Sequence, residues 1–149
     1  FMIRDEYKKL DEFVAEKAPK FVLVIGQPGI GKTVYLTYCL LCRLTEKKRT
    51  VLMLNLSKCY LFQNEGVYTF PRDLYERTDN HEIIQQPFET LILYDCNANQ
   101  STVTPSRSGV QMLVTTSPMR SQYHTFEKNH KPSRFIMETW TWREIYLSR

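Results

Sequence analysis

The chain of 149 residues is poor in glycine. It has five, and three of them fall within eight residues. That scarcity excludes collagen-like and glycine-rich linker sequences and makes the one cluster conspicuous. Long apolar runs are also missing. No uncharged apolar stretch approaches 18 residues, which excludes a membrane-spanning helix and predicts no membrane partner. Cysteine is sparse, with Cys39, Cys42, Cys59 and Cys96 only. Cys39 and Cys42 have the spacing of a metal knuckle, but no second pair follows at zinc-finger distance. The four therefore read as free, partly buried thiols in a reducing compartment. No large excess of either charge sign exists: the formal net charge is +4. It permits contact with nucleic acid without requiring it. Internal repeats are absent. The opening Phe1-Met2-Ile3-Arg4-Asp5-Glu6 is polar and acidic and shows no secretory signal, which predicts an intracellular protein of cytoplasm or nucleus. A Phe ahead of the first Met reads as a piece of a longer chain.

What is present is an apolar content of 42%, enough for one packed domain at this length. Ile3, Tyr7, Leu10, Phe13 and Val14 recur at helical spacing, and Pro19 ends that helix. Phe21-Val22-Leu23-Val24-Ile25 is continuously apolar, as a strand covered on both faces is. A glycine-rich turn follows, then a helix over 33–45 and a strand over 50–56. A small hairpin is expected from 60–62 and 67–70 around Gly66, and a short helix near 73–77. Further strands are expected over 90–94, 110–116 and 133–137, a loop over 97–109, and helices over 118–130 and 140–147. Trp140 and Trp142 are expected to bury one ring each against the sheet. Residues 1–19 thus lead as a helix into a core over 20–149. Strands alternating with helices predict an α/β fold: a three-layer α/β/α sandwich on a mainly parallel, five-stranded sheet.

Gly26-Gln27-Pro28-Gly29-Ile30-Gly31-Lys32-Thr33 fits G-x-x-x-x-G-K-[ST], the P-loop or Walker A pattern. Phosphates need many donors converging on a small volume. A loop with few side chains lets its backbone N–H groups form such a nest, and the helix that follows adds its N-terminal dipole. Lys32 supplies a full charge for the β- and γ-phosphates, and the Thr33 hydroxyl is a ligand for Mg²⁺. Such a loop also needs an acid near Thr33. Asp95, directly after the apolar run Leu91-Ile92-Leu93-Tyr94, is the candidate, making Thr33 and Asp95 the expected metal pair. Cys96 follows where many P-loop ATPases keep a Glu to polarise water, which argues for weak hydrolysis. Asn97 can orient a water molecule by hydrogen bonding but cannot take its proton. Thr116, near the end of Met112-Leu113-Val114-Thr115-Thr116, is the candidate sensor of the γ-phosphate. Lys32, Asp95, Asn97 and Thr116 are accordingly the candidate catalytic residues.

These pieces in order, with Tyr60-Leu61-Phe62, Gly66-Val67-Tyr68, Asp95-Cys96-Asn97, Thr116-Ser117-Pro118 and residues 140–144, resemble the P-loop NTPase domains of fungal and oomycete crinkler-like proteins and of related retrotransposon-hot-spot proteins. The similarity runs from about Phe21 onward. It implies an ASCE-type core related to the AAA+ and STAND ATPases, with one strand between those of the P-loop and Asp95. It also implies Asp95 as the magnesium-side acid and Thr116-Ser117 as the sensor. Members carry further nuclease-like or toxin-like domains, and some act in a host nucleus.

The expected function is binding of ATP with Mg²⁺ and slow hydrolysis, as a switch or motor part of a larger effector or toxin-like protein. Self-association and contact with other domains of that protein are the expected partnerships. A nucleotide-binding interaction module without significant hydrolysis and a small-molecule P-loop kinase are the alternatives. The guanine-reading Asn/Thr-Lys-x-Asp run is absent, which favours ATP over GTP.

Overall fold

Alternation along the strands decides how the layers form. The computed structural model describes residues 2–54, 58–71, 90–96 and 110–148. Helix α1 (Asp5–Lys17) turns Tyr7 and Leu10 inward and stops where Ala18 takes a left-handed φ of 39° just before Pro19. Strand β1 (Phe21–Ile25) runs into the glycine-rich loop, and α2 (Lys32–Thr45) runs out of it. Strands β2 (Thr50–Met53), β3 (Lys58–Gln63), β4 (Gly66–Pro71), β5 (Leu91–Cys96) and β6 (Gln111–Thr116) follow. A 3₁₀ turn (Arg120–Gln122), helix α3 (His124–His130), strand β7 (Ser133–Ile136) and helix α4 (Trp142–Leu147) complete the described chain.

The sheet order is β4-β3-β2-β5-β6-β1-β7. Strands β2, β5, β6, β1 and β7 are mutually parallel, whereas β3 and β4 pair antiparallel beyond β2. The expected five-stranded sheet is therefore corrected to seven strands and a mixed pattern. The reason is β2: all four of its residues are buried, and a bare edge would leave its outer backbone groups unpaired. The hairpin, turned at Asn64-Glu65, supplies the missing partners and buries Cys59, Leu61 and Phe70 on the sheet. A hairpin in this stretch was legible in the sequence; its attachment to β2 was not, and its strands run longer than the expected 60–62 and 67–70.

Successive strand residues feed two cores. Val22 and Val24 pack with Tyr7, Leu10, Tyr35, Leu36, Leu93 and Leu113 under α1 and α2. Leu23 packs with Ile92, Tyr94, Val114 and Phe126 on the opposite face, under α3. A period of two residues thus sends neighbours on one strand into different layers. Trp142 does not join either core: it is 87% exposed, contrary to expectation, because α4 turns it outward. The expected short helix at 73–77 lies outside the described residues. Among the described residues, no helix is long and apolar enough to cross a membrane.

Candidate functional site

The loop between β1 and α2 sits at the carboxyl edge of the parallel strands, beside the ends of β5 and β6. Its shape depends on two left-handed residues. Gly29 has φ 78° and Gly31 has φ 96°, values that a β-carbon makes costly. Gly31 is also the N-cap of α2. No side chain caps that helix, and its first turn holds no acid. Its positive end and free amides therefore remain available to an anion.

Lys32 folds back over the loop. Its Nζ donates to the carbonyls of Gly26 (2.7 Å) and Gln27 (2.8 Å). Burial pushes this ammonium below its ordinary pKa, and the nearby Asp95 partly restores it. Gln27 and Pro28 are exposed at the loop tip, while Ile30 is buried. The Gly26 N–H donates to the Thr116 carbonyl at 3.2 Å, tying the start of the loop to β6.

Asp95 is 7% exposed. The Thr33 hydroxyl donates to its Oδ2 at 2.8 Å, and the Thr115 hydroxyl donates to its Oδ1 at 3.0 Å. Two residues 62 positions apart in sequence, Thr33 and Asp95, are thus in direct contact. Thr115 was missed by sequence reasoning, although the register signals it: Asp95 pairs with Thr115, and Cys96 with Thr116. Thr116 belongs to the next position. Its hydroxyl donates to the Ser117 carbonyl (3.2 Å) and to Gln122 Oε1 (3.3 Å). Cys96 is buried in the core under α3, with its thiol 3.6 Å from the Gln122 carbonyl. Asn97 lies outside the described residues.

A divalent cation suited to this place must accept hard oxygen ligands. The Thr33 hydroxyl and the Asp95 carboxylate are such a pair. Among the described residues, no group of three or more His, Cys, Asp or Glu could hold a metal ion. The site fits Mg²⁺, which takes one or two protein oxygens and completes its shell with phosphate and water, better than a metal that needs an all-protein cage.

Side chains from both ends of the described chain press on the outer side of the loop. Arg4, Tyr7 and Trp140 each donate to a loop carbonyl. Next to them is a cavity of about 520 Å³, lined by Met2, Tyr7, Val34, Trp140, Leu147 and Ser148.

A family model described as retrotransposon hot spot protein, P-loop domain, matches residues 23–146. The match begins within β1 and ends within α4, so it takes in the loop, Asp95, Thr115 and Trp140. No curated protein matches the chain.

Proposed function

The chain belongs to the retrotransposon hot spot protein P-loop domain family, and on that premise we propose that it binds ATP with Mg²⁺ at residues 26–33 and turns it over slowly. In this reading the backbone of Gly26, Gln27, Pro28, Gly29, Ile30 and Gly31 cradles the phosphates, and Lys32 neutralises them. Thr33 and Asp95 hold the cation directly or through water. The cation, when bound, screens phosphate charge and orients the terminal group. Thr115 keeps the Asp95 carboxylate turned toward Thr33. Thr116 and Asn97 are second-tier groups toward the γ-phosphate.

The observation that carries the reading is the 2.8 Å contact between Thr33 and Asp95. It joins the hydroxyl of a phosphate-type loop to a strand-end carboxylate, as metal–phosphate binding requires. Slow turnover follows from Cys96. A thiol buried against the Gln122 carbonyl is no substitute for a carboxylate base beside the attacking water. The same observation favours a second reading, a nucleotide-gated interaction module with no significant hydrolysis. The parallel order β2-β5-β6-β1-β7 supports an ASCE-type core of the kind found in AAA+ and STAND ATPases. A switch in a larger, crinkler-like effector is the role that fits such a core.

Calorimetric titration with Mg–ATP, Mg–GTP and metal-free ATP tests the binding. No heat at millimolar nucleotide with well-folded protein refutes it. Phosphate release tests the rate: turnover above about 1 s⁻¹, the low end of ordinary enzymes, refutes both slow readings.

A further inference from the structure

Three consecutive carbonyls of the loop are each held by a side chain from outside it. Trp140 Nε1 donates to the Gly29 carbonyl at 3.2 Å. The Arg4 guanidinium donates through Nη1 to the Ile30 carbonyl. The Tyr7 hydroxyl donates to the Gly31 carbonyl at 2.8 Å, alongside the Tyr35 N–H at 2.9 Å.

A trans peptide unit is planar, with its C=O and the next residue's N–H pointing in opposite directions. No cis peptide occurs among the described residues. Holding the carbonyls of Gly29, Ile30 and Gly31 on the outer side therefore turns the N–H groups of Ile30, Gly31 and Lys32 to the inner side. Those are the donors a phosphate would use. We infer that Arg4, Tyr7 and Trp140 are positioning residues that pre-aim the phosphate-binding amides, so that nucleotide affinity depends on the docking of α1 and of residues 138–144. This inference rests on the nucleotide reading above.

The holders are themselves held. Arg4 is 1% exposed. Its Nε donates to Glu144 Oε1 (3.0 Å), and its Nη2 to Glu144 Oε2 and the carbonyls of Glu138 and Thr139 (3.3 Å each). Glu144 is placed by a capping box at the start of α4: it accepts from the Thr141 N–H at 2.8 Å, and its own N–H donates to Thr141 Oγ1 at 3.3 Å. The guanidinium lies 4.4 Å from the centre of the Trp140 ring, which fixes the indole in turn. On the α1 side, Glu6 Oε2 accepts the Glu138 N–H at 3.1 Å. The two segments thus brace each other as well as the loop. Besides satisfying the buried Arg4 and Tyr7, the three bonds fix the direction of three successive loop carbonyls.

Tyr7→Phe and Trp140→Phe test the inference. Tyr7→Phe deletes one donor to the loop and keeps the ring; Trp140→Phe deletes the indole N–H and keeps a smaller aromatic ring beside Arg4, and Arg4 and Glu144 stay intact. Amide NMR spectra of the nucleotide-free protein are the readout that a merely structural role would not move. Trp140→Phe is expected to shift the Ile30 amide most, and Tyr7→Phe the Lys32 amide, with β5 and β6 amides unchanged. Each variant should weaken Mg–ATP binding by on the order of 3- to 10-fold in calorimetry, the worth of one ordinary hydrogen bond. Inorganic tripolyphosphate should show the same loss and adenosine none. If the wild-type chain binds nucleotide and both variants bind it equally well, or the amide shifts are spread over the whole fold, the positioning role is overturned on its own. If the wild-type chain binds neither Mg–ATP nor tripolyphosphate, the nucleotide reading fails and takes this inference with it.

Discussion

Gly31→Ala places a methyl group where the loop has no room for it. An added Cβ would lie 2.6 Å from the Tyr7 hydroxyl oxygen, while Tyr7 Cζ at 3.6 Å and Trp140 Cζ2 at 3.8 Å are ordinary contacts. Two costs combine. A left-handed φ of 96° costs a residue with a β-carbon about 1–2 kcal/mol. Displacing Tyr7 forfeits its 2.8 Å bond to the Gly31 carbonyl, about 0.5–1.5 kcal/mol. The sum is about 1.5–3.5 kcal/mol, or a fall in Tm of about 3–14 °C for a chain of this size. The two parts separate in a double-mutant cycle with Tyr7→Phe. Once the hydroxyl is gone, the nearest remaining atoms tolerate the methyl group, so Gly31→Ala should cost only the backbone part. Chemical denaturation of the four proteins should give a coupling of about 1 kcal/mol. An equal cost of Gly31→Ala in both backgrounds would mean that the tyrosine does not crowd the loop, and the account of its outer wall would be wrong.

Lys32→Ala removes the charged donor that spans the Gly26 and Gln27 carbonyls. A hydrogen bond to a charged group is worth about 1.5–3 kcal/mol, so Mg–ATP affinity should fall about 10- to 100-fold by calorimetry; a change under threefold in folded protein would contradict its phosphate role. Asp95→Asn keeps a partner for the Thr33 and Thr115 hydroxyls but gives up the negative charge. The ratio of ATP affinity with and without Mg²⁺ should collapse toward one, and an unchanged ratio would remove Asp95 from the metal pair. Burial acts to raise the Glu144 carboxyl, but the hydrogen bonds from Arg4 and Thr141 outweigh it and hold the pKa below its ordinary 4.5. A carboxylate depressed in the folded state contributes stability above the unfolded value and loses it as pH falls through the folded one. Stability should therefore drop below about pH 4.5, and Glu144→Gln should flatten that acid limb in pH-dependent urea unfolding while costing about 1–3 kcal/mol at neutral pH. A Gln variant with the same acid limb as the parent would show that Glu144 does not carry it.

The loop octapeptide and its flanking strand and helix were legible because their signals are local. Glycine tolerance at positive φ, an apolar run and a 3.6-residue period act within a few residues and need no tertiary partner. Asp95 was legible for a similar reason, standing at the end of an apolar strand. Thr115 was not, although it is adjacent to the chosen Thr116. Which of two successive threonines faces Asp95 depends on strand register, and register is set by pairing across the sheet. Arg4 and Tyr7 carried no signal for such a role either. Tyr7 reads as one more apolar position of α1, and Arg4 as a charge just ahead of it.

The order of the described elements and the strand–loop–helix conformation around residues 26–33 were thus determined by the sequence alone, since each rests on backbone preferences that operate over one turn or one strand. The attachment of the hairpin to β2, the meeting of Thr33 with Asp95 and the three remote donors on the loop were decided only by the tertiary structure. Each joins chain segments whose separation carries no periodic trace, and such contacts become specific only when the sheet closes and buried polar groups must find partners.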